Sequence, residues 1–200
     1  MLAWGITAGL PVPLLHTATR IVRDELDHAA LAHTCLVALG GADAPIDLAA
    51  ERLAVPAGEG LLADLARVVL RDFCLGETLA VPYFAEMRRG ATHPAVSPVL
   101  DRVLSDEAVH RAFGWDALDA LLALDPGVRG WAEARLPALV ASFDGYRAPP
   151  DAPPLTDAER ACGLLDNAAY GALFARTWAE DVAPRFARRG IGVGIGGTAS

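Results

Sequence analysis

The sequence predicts an all-α chain. Apolar residues recur at intervals of three and four over several stretches too long for strands. No stretch shows the sustained apolar–polar alternation of a half-buried strand, and clusters of Gly and Pro fall between the periodic stretches. With 200 residues, 53% hydrophobic and 21% charged, the chain can bury one sizeable core, so residues 1–189 read as a single helical domain.

Met1 to Leu10 is apolar and reads as the remnant of a first helix, closed by the Gly9-Leu10-Pro11-Val12-Pro13 break. From about Pro13 to Leu39, Leu14, Ile21, Glu25, His28, Ala32 and Val37 follow helical spacing, and Gly40-Gly41 supplies the stop. Ala42 to Gly60 lacks periodicity and reads as a long crossover between two helical hairpins. A second long helix is expected over about Leu61 to Arg89. Gly76 interrupts it, and Pro82 should bend it one turn past Glu77. After a turn at Gly90 to Pro94, a third long helix should run to about Leu124, where Asp125-Pro126-Gly127 ends it. A fourth segment follows over Val128 to Tyr146, bent at Pro137, and then the Pro-rich linker 147–155. Thr156-Asp157-Ala158-Glu159 is a capping-box pattern that should open a last helix to about Arg188. Residues 190–200 read as a flexible Gly-rich tail. Their Gly192-Val193-Gly194-Ile195-Gly196-Gly197 run matches a dinucleotide-binding pattern in letters only, because no strand precedes it and no helix follows.

The net charge of −8 and a pI near 5.0 disfavour nucleic acid or an anionic membrane surface as the main partner. Three widely spaced cysteines form no CxxC pair and suggest no disulfide framework. No uninterrupted apolar run approaches the ~18 residues that span a bilayer. The N-terminus has no basic region of the signal-peptide kind. A cytoplasmic chain is the expectation, and self-association between copies stays open.

The chemistry concentrates in two pentads, Asp24-Glu25-Leu26-Asp27-His28 and Asp106-Glu107-Ala108-Val109-His110. On a helix, Glu and His three residues apart share a face, so a carboxylate oxygen and an imidazole nitrogen converge on one point. That donor pair suits a first-row transition metal, and iron and manganese are equally compatible with it. One chance pentad is expected roughly 0.02 times in a chain of this composition. Duplication therefore favours a metal site over solvated helix faces. Glu77, in an apolar stretch from Phe73 to Val81, needs a partner for its charge; a metal ion or an Arg from another helix would serve. Asp24 and Asp106 stand where each can accept a hydrogen bond from the opposite histidine, or they are ordinary surface aspartates. Cys74 reads as a small packing group. His16, His33 and His93 are poorly placed to join.

The set Glu25-x-x-His28, Glu77 and Glu107-x-x-His110 resembles the ferritin-like superfamily of di-iron carboxylate proteins, over about Pro13 to Leu124. The resemblance implies a helical bundle with a long crossover and additional C-terminal helices. It also implies two non-haem iron or manganese ions and oxidase or oxygenase chemistry with dioxygen or peroxide; iron storage without an organic substrate and a metal-free interaction module are the alternatives. By position, Glu25 and Glu107 would bridge two metals, His28 would be terminal on one, and His110 with Glu77 terminal on the other. The family's first-helix glutamate has no counterpart before Glu25, so the His28 half should hold its metal more weakly.

Overall fold

The computed structural model describes residues 1–44, 58–146, 149 and 151–193. Among them every regular element is helical and no strand occurs. The short helix α1, Leu2–Ala8, ends on Gly9 in the left-handed conformation (φ 77°), and Leu10 then buries itself behind the turn. Helix α2, Val12–Ala38, starts with Pro13 in its first turn, where a missing N–H is harmless. Its inward residues are Ala18, Ile21, Asp24 and His28, spaced three, three and four apart. The apolar half of that stripe faces α1 and the core, and the polar half faces another helix. Outward, Val22, Leu26, Leu36 and Val37 remain exposed.

The expected crossover over Ala42–Gly60 falls largely on residues 45–57, which lie outside the described residues. The helix expected from Leu61 to Arg89 is present but changes pitch. It comprises α3, Leu61–Val68, a π-helical stretch over Val69–Glu77, and α4, Thr78–Gly90. The irregularity expected around Pro82 thus lies upstream of it, and Pro82 sits inside regular α4. Each π turn takes in an extra residue and rotates everything that follows, and this one ends on Glu77.

Helix α5, Ser97–Leu124, is the central element and packs against α2, the π-helical stretch and α4. Leu100, Val103, Asp106, Glu107, His110, Phe113, Leu118 and Leu121 are buried along it. Beyond His110 the helix meets the main apolar core of Leu65, Val69, Leu70, Leu75 and Phe73. Gly114 permits this close approach. A Cβ there would stand 2.7 Å from Phe73 Cβ and 2.8 Å from its backbone carbonyl carbon. The Cys74 thiol donates to the Gly114 carbonyl at 3.2 Å across the same contact, which gives that cysteine the packing role its sequence context suggests.

Helix α6 covers Gly127–Ala141 and gives way to a 3₁₀ turn over Ser142–Tyr146, so the fourth segment loses its last turn of α-helix. The last helix departs from expectation more strongly. The capping box at Thr156 and Glu159 forms, but α7 spans only Asp157–Ala161. Gly163 then adopts φ 82°, and a Cβ there would collide with the Met87 carbonyl oxygen. The chain turns over the end of α4 at this point, where Thr92 and His93 N–H both donate to the Ala161 carbonyl at 2.9 Å. Helix α8, Asn167–Thr177, restarts with Asp166 as N-cap. It continues through a π turn, Trp178–Val182, into α9, Ala183–Arg188. The tail is packed at its start: Ile191 is buried, and Gly192 N–H donates to Glu133 Oε1 at 2.8 Å. Of the linker 147–155, positions 147, 148 and 150 lie outside the described residues, as do 194–200 of the tail. No described helix is long and apolar enough to cross a membrane.

Because Gly114 holds α5 against the π-helical stretch, Gly114→Ala should destabilise the fold by about 1–3 kcal/mol. Gly130, exposed in α6 with nothing near its Cβ position, should tolerate Ala or gain up to about 1 kcal/mol. Urea unfolding of both variants checks the contrast.

Candidate metal centre

The two pentads face each other across the α2–α5 seam. His28 Nε2 lies 3.1 Å from Asp106 Oδ2, and His110 Nε2 lies 3.4 Å from Asp24 Oδ2. Each step forward along α2 is matched by a step back along α5, so the helices run antiparallel and the motifs are related by a local two-fold axis. A carboxylate accepts from a ring nitrogen only when that nitrogen carries the proton. Each Asp therefore holds the opposite imidazole as the Nε2–H form and leaves Nδ1 with a free lone pair. Both Nδ1 atoms then turn to the same interior point, with the ring centroids 5.8 Å apart.

The glutamates surround that point. His110 Nδ1 is 3.1 Å from Glu25 Oε1 and 3.6 Å from Glu107 Oε2; His28 Nδ1 is 3.8 Å from Glu25 Oε1 and 4.0 Å from Glu107 Oε1. The Glu25 oxygen lies off the axis a hydrogen bond needs and acts on the His110 ring as a nearby charge. Glu107 Oε2 and His110 Nδ1 are consequently buried without a hydrogen-bond partner among the described residues. Glu77 completes the set from the end of the π-helical stretch. Donor atoms of Glu25, Glu77 and His110 lie within 4.8 Å of one another, and so do those of Glu25, His28 and Glu107. All five expected ligands are brought together in two triads that share Glu25. The two buried atoms left without partners, a carboxylate oxygen and an imidazole nitrogen, are both of types that bind transition metals.

The environment is less uniformly apolar than the sequence suggests. Glu107 and His110 are buried, whereas the Glu25 side chain is half exposed and Leu26 beside it is 68% exposed. No Arg reaches Glu77 among the described residues; its neighbour is another carboxylate. Burial first, and then the adjacent Glu107 with which it shares a proton, push the Glu77 carboxyl up to about 10. Burial opposes charge on His110, but the carboxylates of Glu25, Glu107 and Asp24 outweigh it and raise the imidazole. For Asp106 burial acts upward, but His28 and Arg102 prevail and hold the carboxyl below its ordinary value.

Arg20 and Arg102 are the residues that sequence reasoning passes over. Arg102 Nε lies 2.8 Å from Asp106 Oδ2, and its Nη2 lies 3.8 Å from Asp24 Oδ1. Arg20 Nε lies 3.3 Å from Asp24 Oδ2, and its Nη2 lies 3.9 Å from Asp106 Oδ1. Both arginines therefore straddle both aspartates and close the side of the centre away from the glutamates. Their signal was in the sequence. Each stands four residues before its Asp, so the duplicated unit is the nine-residue Arg-x-x-x-Asp-Glu-x-x-His. The dismissed histidines stay apart, with His33 pairing with Asp43 at 3.0 Å and His93 accepting from Ala95 N–H.

On the other side the centre opens into a cavity of about 400 Å³. Glu25, Glu77 and Glu107 line its floor, while residues of α4, α8 and the 3₁₀ turn form its walls.

In the metal-free protein Glu77 and His110 both hold protons more tightly folded than unfolded. Their contributions to stability are present at low pH and are lost as pH rises through neutrality. The melting temperature of the chelated protein should therefore fall between about pH 6 and pH 9, and Glu77→Gln should flatten part of that slope. A flat or rising profile by calorimetry would contradict the shared-proton arrangement.

Comparisons with protein-family models, with curated proteins and with solved structures gave no match to this chain.

Proposed function

We propose that the chain is a ferritin-like dinuclear carboxylate protein. It holds two non-haem iron or manganese ions and performs oxidase or oxygenase chemistry with dioxygen or peroxide. The observation that carries this reading is the pair of buried, unpartnered ligand atoms, Glu107 Oε2 and His110 Nδ1, among two two-fold-related Glu–His pairs and a third carboxylate, Glu77. A buried imidazole lone pair facing a buried carboxylate oxygen, with no hydrogen bond to satisfy either, is costly unless a cation or a proton comes between them.

On this reading Glu25 and Glu107 would be shared between the two ions, Glu77 and His110 would hold one, and His28 would hold the other. Asp24 and Asp106 fix the two rings, and Arg20 with Arg102 offsets the charge of those aspartates. When bound, the ion pair supplies the electron transfer to dioxygen or peroxide that these side chains cannot perform themselves. The carboxylate-floored cavity favours an organic substrate over iron storage, because storage needs a path for ions and not an apolar chamber.

Metal content per chain after loading with iron(II) or manganese(II) tests the reading. Two ions are expected, and the half served by Glu77 and His110 should fill first, because the His28 half has fewer ligands. Glu107→Ala should lose both ions. Asp106→Asn should keep the fold and weaken binding about 10–100-fold. Iron-loaded protein should also consume dioxygen faster than the Glu107→Ala variant. No bound metal, with both variants as stable as the parent, would overturn the reading; two equally tight ions would overturn its asymmetry.

A further inference from the structure

The walls of the cavity say more about its occupant than its floor does. Tyr83 and Phe84 from α4, Tyr170 and Phe174 from α8, and Phe143 from the 3₁₀ turn all line it. Tyr83 and Tyr170 meet edge to face, with centroids 5.8 Å apart and planes at 80°. Tyr170 and Phe174 follow at 6.4 Å. Such walls present both ring faces and ring edges, the two surfaces that a flat aromatic guest packs against. A cavity of about 400 Å³ holds a guest of roughly ten to fifteen non-hydrogen atoms with room to spare.

Charge narrows the class. Apart from the floor carboxylates, the ionic lining residues are Arg71 and Asp72, and these two pair with each other at 3.0 Å near the solvent. An anionic guest would meet three glutamates and find the Arg71 guanidinium already engaged. Beside the phenol hydroxyls of Tyr83 and Tyr170, one aliphatic hydroxyl stands on the wall. Thr177 lines the cavity, is only 8% exposed, and its hydroxyl has no hydrogen-bond partner among the described residues. In a mostly apolar pocket, a buried hydroxyl left without a partner helps to fix how a guest lies.

We propose that this cavity binds an uncharged aromatic molecule of one or two fused rings carrying one hydroxyl or carbonyl group, with its rings among Tyr83, Phe84, Tyr170 and Phe174 and its polar substituent at Thr177. The inference rests on the metal-centre reading only for the guest's role as substrate; the binding itself requires no metal.

The test measures binding of 2-naphthol, naphthalene and naphthalene-2-carboxylate to the full chain by titration calorimetry, both chelated and manganese-loaded. In the chelated protein, 2-naphthol should bind at least tenfold more tightly than the carboxylate. Thr177→Val should weaken 2-naphthol about fivefold and leave naphthalene within twofold. Ala80→Trp, which fills the cavity from α4, should weaken all neutral probes at least tenfold, with helix content checked by circular dichroism. Should that variant fail to fold, Phe174→Ala serves in its place and should weaken both neutral probes several-fold. Equal binding by parent and cavity variants, or carboxylate binding as tight as 2-naphthol in the chelated protein, would overturn the proposal. Metal content of the same samples separates the two readings. Probe binding lost on Ala80→Trp in a chain that takes up no metal supports the cavity and overturns the metal centre alone. Two metals per chain with no probe binding overturns the cavity alone.

Discussion

The crossed pairing of His28 with Asp106 and of Asp24 with His110 sets the geometry on which the rest of this molecule depends. Buried imidazole and carboxylate groups are tolerated only when paired. Each histidine finds its hydrogen-bonding aspartate on the opposite helix. The pairing therefore fixes the register of α2 on α5: a slip of one residue moves a side chain about 1.5 Å along the axis and about 100° around it. Neither pair survives such a slip. Fixing the register also fixes the tautomer, so both Nδ1 atoms turn inward and the glutamates one position after each Asp are drawn to the same point. The arginines one turn earlier hold the outer side of the aspartates, in an arrangement that repeats about the local axis.

The third carboxylate arrives by a different device. Glu77 belongs to neither pentad and lies at the end of the π-helical stretch, on the element that Gly114 allows to approach α5 most closely. Its neighbour Thr78 is fully buried and accepts from the Trp115 indole at 3.0 Å, which ties the start of α4 to α5 about one and a half turns beyond His110. Glu77 is thus held by packing and by a hydrogen bond through the next residue. Glu25 is held by α2 alone and keeps half its side chain in solvent. The centre has a rigid side, made by α5 and the π-helical stretch, and a looser side at Glu25.

Much of this was legible because it is local in sequence. The 3.6-residue periodicity of α2, α3 to α4 and α5 marks the helices, and the Asp-Glu-x-x-His pentads mark the facing sides, since spacings of three and four encode direction on a helix. The all-helical class and the five converging side chains follow from those patterns. What could not be read depends on contacts distant in the chain. The break at Gly163 is needed because α7 turns against the Met87 carbonyl, and nothing within Ala161 to Leu164 announces that neighbour. The burial of Ile191 follows from α6 lying beneath the tail. The exposure of Glu25 and Leu26 reflects the lack of a described element packed over that face of α2, which helical spacing alone does not reveal. Arg20 and Arg102 are legible too, because each stands one helical turn before its Asp and extends the repeat to nine residues.

The cavity and the centre constrain each other electrostatically. Three carboxylates on the floor of an aromatic chamber would repel one another and exclude an apolar guest if all were charged and bare, because water would be held there to solvate them. Without metal, burial and the neighbouring Glu107 keep Glu77 in its neutral form, and the surrounding carboxylates favour the protonated imidazole of His110. Two divalent cations would relieve it more completely: they would displace those protons, neutralise the floor and free the chamber of the water that the charges demand. The aromatic walls then gain their full value as an apolar surface only when the floor is neutralised. On the proposed reading, the chamber admits an uncharged guest without metal, and metal binding strengthens that guest's hold by completing the desolvation of Glu77 and Glu107, which belong to both the centre and the chamber.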